Sequence, residues 1–254
     1  MVAAVLPFAV EMPVELWVNE VKNVTFMCTP CDLEELAIGH LLTRGMLKDI
    51  SAIDQIAVKE DTFQIFVTTS EPVSKQLYSV PEFVLSGTTS VSEFSENIYR
   101  IPKVESDYTV NLERIISMMR ILDEEAPIYQ SSGGVHGAIL YTDKKYYLKE
   151  DIGRHCAIDK AIGAACKDRA DLSNSFICTT GRVSLDMLLK AASVRIPVIA
   201  SLKYPSDMGI KLAQHYQIAI VSGALSPSPI IYAYEHRVKT SGHLLQDLLV
   251  SLSH

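Results

Sequence analysis

The sequence lacks an excess of positive charge. Among its 254 residues, 23 are Lys or Arg and 30 are Asp or Glu, so the formal net charge is −7. Non-specific binding to nucleic acid or to an anionic membrane requires clustered Lys and Arg residues, because their binding releases counterions. We therefore expect no nucleic-acid partner and no membrane partner, and an anionic ligand would need a local group of backbone amides and a few cations.

Cysteine is scarce and long apolar runs are absent. An odd number of cysteines at scattered positions does not fit the disulfide framework of a small secreted protein; they are Cys28, Cys31, Cys156, Cys166 and Cys178. The apolar start "MVAAVLPFAV" has no basic region before it and is interrupted by Pro7 and then Glu11. We expect no signal peptide, no membrane-spanning run and a cytoplasmic location.

The first half of the chain predicts a small α+β unit. Alternating apolar residues indicate four strands, at 14–18, 24–28, 52–58 and 62–68. Between the two strand pairs, Thr29 is the expected N-cap of a helix, Pro30 its first residue and Gly45 its end. Residues 70–108 are rich in Ser, Thr and Pro, and we expect a mobile polar connection there.

The second half alternates strands and helices, which predicts an α/β layered sheet with some parallel pairing. A helix capped by Thr109 or Asn111 should end near Glu125. Strands are expected at 133–141, 145–150, 175–180, 197–201 and 218–223, and helices at 154–168, 182–194, 207–216 and 240–254. The last of these is amphipathic. We divide the chain into an N-terminal unit, 1–108, and an α/β core, 109–254.

Cys28 and Cys31 have C-x-x-C spacing, which can hold a disulfide, two metal thiolates or a persulfide sulfur. With the predicted cap, Cys31 occupies the second helical position, where the helix dipole lowers a thiol pKa. The acidic residues that follow it oppose this effect. A zinc site needs two further ligands at suitable spacing, and the sequence shows none. The pattern favours structural cysteines and no intrinsic metal.

"QSSGGVHGA" brings two glycines directly before a strand that starts near His136. The amides of Gly133 and Gly134 could approach a ligand closely, and His136 could act as a base, a hydrogen-bond donor or a metal ligand. An ordinary tight turn with a half-buried histidine is equally compatible with the pattern.

"KEDIGRHCAIDK" is the densest group of ionisable residues. Asp151 can cap a helix that Arg154 opens, and His155 and Asp159 stand one turn apart, so the carboxylate could orient the imidazole. Arg154 and Lys160 add positive charge. The alternative is a solvated helix face with ordinary ion pairs, but a helix N-terminus favours an anion site.

"CTTGRVS" lies between a predicted strand and a predicted helix. Thr180, Gly181, Arg182 and Ser184 would place hydroxyls, amides and a guanidinium at one helix N-terminus, which is a phosphate-binding arrangement. The simpler alternative is N-capping by Thr180. The three strand-end segments should converge on one edge of the sheet, where α/β proteins bind ligands.

Together, "MCTPCDLEELAIGHLLTRGML", "SSGGVHGAIL", "KEDIGRHCAIDKAIG" and "TTGRVSLDMLLKAASVRIPVIAS" resemble the successive motifs of the FdhD family, the formate dehydrogenase accessory proteins, from about residue 11 to 232. The resemblance implies a cytoplasmic maturation factor, usually a dimer, with a cytidine-deaminase-like α/β fold. It implies sulfur transfer from a cysteine desulfurase to the molybdenum cofactor of formate dehydrogenase. It also implies binding of that cofactor, bis-molybdopterin guanine dinucleotide, as cargo.

The chain departs from the family pattern at three places. The family's sulfur-carrying C-G-x-C-G segment corresponds to "SGTTS", so Ser86 and Thr89 stand where cysteines are expected, and a hydroxyl cannot hold a persulfide. Cys156 replaces a common asparagine. A late cofactor-binding segment that usually contains an arginine is here Gly223, Ala224, Leu225, Ser226, Pro227 and Ser228.

Three functional hypotheses follow. The first is a sulfur-transferring accessory protein, with Cys28 and Cys31 or a partner's thiol in place of the loop pair. The second is a non-catalytic chaperone that binds the cofactor or a nucleotide without carrying sulfur. The third, a deaminase-type hydrolase, needs H-x-E and P-C-x-x-C, whereas His136 is followed by Gly137 and Ala138.

Overall fold

The N-terminal part of the fold is a four-stranded sheet covered by one helix. The structure, a computed structural model, describes residues 8–73, 99 and 101–240. The strands are β1 (Met12–Val18), β2 (Val21–Cys28), β3 (Ile53–Lys59) and β4 (Gln64–Thr69), and the order is β2-β1-β4-β3, with only β1 and β4 parallel. Alternate residues of β1, Val14, Leu16 and Val18, are buried against helix α1 (Leu33–Thr43).

A six-stranded mixed sheet forms the rest of the core. Its order is β11-β10-β9-β8-β6-β7, in which β8, β9 and β10 are mutually parallel and the other pairs are antiparallel. The strands are β6 (His136–Thr142), β7 (Tyr146–Asp151), β8 (Ser175–Thr179), β9 (Val198–Ser201), β10 (Ala219–Ser222) and β11 (Ile230–Tyr232). A short parallel pair, β5 (Val110–Asn111) with β12 (Val238–Lys239), lies beside it.

Helices cover both faces of the large sheet. The apolar residues of α4 (Arg154–Lys167), α5 (Leu185–Ser193) and α6 (Asp207–Tyr216) pack in one cluster with Leu140, Ile177 and Ile199. Residues of α2 (Leu112–Glu125) pack with the opposite-facing side chains of the same strands in a second cluster. A short helix, α3 (Pro127–Ser132), leads from α2 into β6. This layered arrangement confirms the predicted α/β class.

The two sheets are joined where α1 crosses α4. A methyl group added at Gly39 would overlap the backbone oxygen of Asp159, and one added at Gly163 would overlap the backbone oxygen of Glu35. The two helix backbones therefore touch at both glycines, closer than any pair of larger residues would allow.

Most predicted elements are confirmed, with shifts at their ends. The predicted start of α1 is wrong, because the helix begins at Leu33 and Asp32, not Thr29, occupies its N-cap position. Asn111 occupies the N-cap position of α2 without a side-chain capping hydrogen bond, and the helix ends at Glu125, as expected. The sequence analysis missed α3, β5, β11 and β12. The predicted terminal helix and most of the connection 70–108 lie outside the described residues, and the boundary at residue 108 stays a prediction.

Candidate functional site

Three hydroxyl residues lie side by side where the parallel strands end. Thr179, Ser201 and Ser222 end β8, β9 and β10, pair in register and are fully buried. The Thr179 hydroxyl accepts from the Gly181 amide at 3.1 Å, and the Ser201 hydroxyl donates to the Gly181 carbonyl at 2.8 Å. The Ser222 hydroxyl has no partner among the described residues. The sequence analysis did not bring these three residues together, although each lies at or next to the end of a predicted strand.

Thr180 connects the row to His136. Its Oγ1 accepts from the Gly137 amide at 3.1 Å and lies 3.1 Å from His136 Nδ1. The Thr180 hydroxyl can either donate to Nδ1 or accept from it, so the tautomer of the imidazole decides the direction of this bond. Burial, aided by Arg154, lowers the pKa of His136, so the ring is neutral at neutral pH. The alternative of Thr180 as a helix cap is wrong, because α5 begins at Leu185 behind Ser184.

The N-termini of α4 and α5 meet at this edge through Arg154 and Gly181. A methyl group on Gly181 would lie 2.9 Å from both Cβ and Cδ of Arg154, so the arginine stem packs on the glycine backbone. The Arg154 Nε atom is buried and has no hydrogen-bond partner among the described residues. Such a donor is costly unless something accepts from it. Two helix dipoles and an unpaired guanidinium nitrogen at one place favour an anionic ligand.

Further cations and hydroxyls follow the strand ends at the same edge of the sheet. Arg182 and Lys203 are exposed, and Ser184 is half-buried at the start of α5. The predicted loop 223–228 follows β10 at the same edge, where Gly223 takes a positive φ of 58° and the Ser226 hydroxyl is buried without a described partner. The structure thus brings the His136, Arg154, Gly181 and loop segments together at one sheet edge.

His155 pairs differently from the prediction. Its Nε2 lies 3.3 Å from Asp186 Oδ2, and Asp186 also binds Arg44 at 2.9 Å. The predicted orientation of His155 by Asp159 is therefore wrong, since a carboxylate distant in sequence lies nearer. Burial lowers the pKa of His155 to about 4 despite the opposing charge of Asp186.

Asp159 is buried, and its described partners are side chains of α1 and α5. Its carboxylate binds Lys190 Nζ at 2.7 and 2.9 Å and accepts from Thr43 Oγ1 at 2.8 Å. His40 Nδ1 lies 3.8 Å away. Burial raises the Asp159 pKa, but Lys190 and His40 outweigh it and hold that pKa well below its usual range. Asp159 therefore ties α4 to α1 and α5.

Lys160 does not bring free positive charge to the site. Its ammonium group is fully buried, 2.6 Å from Asp151 Oδ2, and it also donates to the Thr29 and Glu150 carbonyls. Asp151 in turn accepts from the amides of Thr29 and Gly153 at 3.1 and 2.7 Å. Burial lowers the pKa of Lys160, but Asp151 raises that pKa by more. The Thr29 hydroxyl accepts from the Ile152 amide at 3.1 Å and therefore does not cap α1.

The two glycines before β6 do not form the expected amide cradle. The Gly133 amide donates to the Tyr129 carbonyl at 2.8 Å and closes α3, with φ 62°. The Gly134 amide donates to the Ser132 hydroxyl at 3.2 Å. Both amides are engaged, so the expectation of ligand-facing amides at this pair is wrong.

All five cysteines are free thiols with raised pKa values. Burial raises the pKa of Cys28 and of Cys166 to about 12, and it raises those of Cys31, Cys156 and Cys178 as well. Cys31 lies outside α1, so the predicted effect of the helix dipole is wrong. Lys160 Nζ is 3.7 Å from Cys31 Sγ, but its effect is smaller than that of burial.

Ser86 and Thr89 lie outside the described residues, so the structure gives no geometry for the loop with the family's sulfur-carrying cysteines. Within the described ranges, no three or more His, Cys, Asp and Glu side chains are grouped so that they could hold a metal ion. In the same part of the chain, none of the helices has the length and apolar character needed to cross a bilayer.

Comparison with known proteins places these features in one family. Residues 9–239 match the FdhD/NarQ family. The chain is 30% identical over 247 residues to the sulfur carrier protein FdhD of Xanthomonas axonopodis pv. citri, covering 91% of this chain and 85% of the relative. It is 27% identical over 237 residues to that of Bacillus licheniformis, covering 92% and 90%.

A solved structure shows the same architecture. The crystal structure of a proposed formate dehydrogenase accessory protein from Desulfotalea psychrophila superposes with a TM-score of 0.75 at 27% identity, covering 91% of this chain and 90% of the other.

Proposed function

The chain belongs to the FdhD/NarQ family, and on that premise we propose that it is an accessory protein in the maturation of formate dehydrogenase. Its relatives carry the name sulfur carrier protein FdhD. In this role it holds the molybdenum cofactor, bis-molybdopterin guanine dinucleotide, as cargo. We further propose a cytoplasmic homodimer whose partners are a cysteine desulfurase and formate dehydrogenase.

One observation supports the cofactor-binding part most strongly: the buried Arg154 Nε has no acceptor among the described residues. It lies where α4 and α5 both begin, so an anionic group there would meet a guanidinium and two helix dipoles. Arg182 would neutralise further negative charge from the solvent side. The neutral His136 offers Nε2, as a donor or an acceptor according to its tautomer, to a polar group of the ligand.

A second candidate is a chaperone that binds the cofactor without carrying sulfur. A carrier thiol should be accessible and should ionise readily, because the thiolate is the nucleophile. Burial raises the pKa of every cysteine of this chain, and two, Cys28 and Cys178, are fully buried. In this version the sulfur reaches the cofactor from a thiol of a partner protein.

Maturation in cells tests the accessory role. Formate dehydrogenase is produced, together with its cognate cysteine desulfurase, in a host that lacks its own FdhD-family protein, with and without this chain. We expect formate oxidation only when the chain is present, a large loss with Arg154→Met, and full activity with Arg114→Met. Arg114 lies over the Tyr141 ring, at the opposite edge of the sheet. Equal activity with and without the chain would reject the proposal.

A further inference from the structure

An exposed aromatic side chain stands at the sheet edge that carries the proposed cofactor site. Tyr204 lies in the loop that follows β9, between the segments that follow β8 and β10, and it is 56% exposed. Its ring belongs to none of the hydrophobic clusters of the described residues. A large aromatic surface that stays open beside a ligand site is a candidate contact for the ligand.

The loop that carries Tyr204 is held on both sides of the tyrosine. On one side, the Lys203 amide donates to the Ser201 hydroxyl at 2.9 Å. On the other side, the Ser206 amide donates to the Val183 carbonyl at 3.0 Å. An ordered loop therefore presents the ring, and a ligand that binds there loses little free energy to ordering the protein.

The tyrosine reaches from its own loop to the turn after β10. A Cβ atom added to Gly223 would lie 3.7 Å from the Tyr204 hydroxyl and 3.1 Å from the Ser226 hydroxyl, so both hydroxyls lie on one side of this turn. The hydroxyls of Ser226 and of Ser222, directly before the turn, are buried and have no hydrogen-bond partner among the described residues. Buried polar groups of this kind need a partner, which a polar ligand would supply.

The separation of Tyr204 from Arg154 suits a nucleotide. Gly181, on which Arg154 packs, follows β8, whereas Tyr204 follows β9 and reaches the turn after β10. Neighbouring strands lie about 4.8 Å apart, so these two ends of the sheet edge are about 5–10 Å apart. A ligand whose phosphate lies at Arg154 can therefore place its base at Tyr204.

We propose that Tyr204 is a specificity-determining residue of this site, whose ring stacks on the guanine base of the nucleotide arm. The hydroxyls of Ser222 and Ser226 bind the polar edge of the same base. The inference rests on the proposed function, since it takes the phosphates to lie at Arg154. The loop 223–228 contains no Lys or Arg, so this end of the site suits a neutral base better than a further phosphate.

Calorimetric titration with GDP compares three variants with the unmodified protein. Tyr204→Ser should bind GDP at least about fivefold more weakly, because it loses the stacked ring, whereas Tyr204→Phe keeps the ring and should bind within about twofold. Tyr146→Ser is the matched control and should bind as tightly as the unmodified protein. Tyr146 is 42% exposed and begins β7, at the end of the sheet opposite His136.

Fluorescence locates the base directly. Trp17 is the only tryptophan of the chain and lies in β1 of the N-terminal sheet, so GDP should leave the emission of the unmodified protein unchanged. Tyr204→Trp places an indole ring at the proposed stacking position. GDP should quench the emission of this variant, whereas inorganic phosphate should not, because phosphate has no base to stack.

The outcomes separate this inference from the proposed function. Selective weakening in Tyr204→Ser, together with quenching in Tyr204→Trp, supports the inference. GDP binding that requires Arg154 but is equally tight in Tyr204→Ser, or that leaves the emission of Tyr204→Trp unchanged, would overturn this inference alone. Equal losses in Tyr204→Phe and Tyr204→Ser would also overturn stacking, and no GDP binding by the unmodified protein would overturn the proposed cofactor binding as well. Equal melting temperatures check that the variants are folded.

Discussion

At the residue scale, the fold depends on a buried ion pair between Lys160 and Asp151. Both side chains are fully buried and 2.6 Å apart, and each has further hydrogen bonds to the backbone. Removing one partner of such a pair leaves an uncompensated buried charge, which is far more costly than losing the attraction alone.

We expect Lys160→Met to lower the free energy of unfolding by about 3–5 kcal/mol, because Asp151 stays buried without its counter-ion. Urea unfolding measures the change. The matched control is Lys167→Met on the same helix. Lys167 is a partly exposed residue that binds Glu34 and Glu35 at 2.9 and 3.0 Å, and its loss should cost less than about 1 kcal/mol. Similar losses for the two variants would contradict this account.

Buried histidines make stability depend on pH. Burial lowers the pKa of His155 to about 4 and also lowers that of His40, whereas an unfolded histidine titrates near 6.5. The unfolded state therefore binds protons first, so this stability is complete above pH 6.5 and is lost as the pH falls toward 4. We expect a lower melting temperature at pH 5 than at pH 7.5, and a smaller difference in His155→Gln. Identical melting temperatures at the two pH values would show that neither histidine is buried in its neutral form.

The sequence predicted which residues meet at the sheet edge better than it predicted the partners of the buried charges. Motif spacing and strand order brought His136, Thr180 and Arg154 to one edge, since consecutive strand ends meet there. The same reasoning assigned Asp159 and Lys160 to the site, but their partners, Lys190 and Thr29, are distant in sequence. Spacing along one helix cannot tell a solvent-facing charge from one buried under another helix.

At the scale of the elements, the crossing of α1 and α4 controls how the two sheets meet. Gly39 and Gly163 each face a backbone oxygen of the other helix. The apolar periodicity of the sequence predicted both helices, but nothing in the sequence indicated that they touch at these glycines. A glycine inside a helix is not by itself evidence of a close crossing, because its partner residue must be known.

Gly163→Ala should force the helices apart and lower the free energy of unfolding by about 3 kcal/mol or more, because the obstacle is backbone and cannot rotate away. Gly153→Ala is the control, since a methyl group there meets nothing nearer than 3.4 Å. Thermal or urea unfolding compares the two. A Gly163→Ala protein as stable as the Gly153→Ala protein would mean that the helices cross at a greater distance.

At the scale of the whole molecule, polar contacts from α1 and the residues around it hold the N-terminal sheet to the α/β core. Thr43 donates to Asp159 and Arg44 binds Asp186, while Lys167 binds Glu34 and Glu35. Cys31 lies at this junction beside Lys160, and Cys28 is buried in the small core. These positions favour a structural role for the C-x-x-C pair, which stays a prediction.

Incubation with a cysteine desulfurase and labelled cysteine should therefore leave little label that a reductant can release. Ser86→Cys with Thr89→Cys restores thiols at the two family positions and should gain label, provided that the desulfurase docks. Strong labelling of the unmodified chain at Cys28 or Cys31 would instead identify that pair as the carrier. An unlabelled restored variant would contradict the assignment of "SGTTS" to the family's cysteine segment.

The central claim is that the sheet edge around Arg154 binds the anionic, nucleotide-bearing cofactor. Calorimetric titration with GDP at low salt, as a probe of one guanine nucleotide arm, tests it most directly. The unmodified protein should bind GDP, Arg114→Met should bind equally well, and Arg154→Met should bind at least about tenfold more weakly, because it keeps the stem on Gly181 but loses the charged donor. No binding by the unmodified protein, or equal binding by Arg154→Met, would contradict the account.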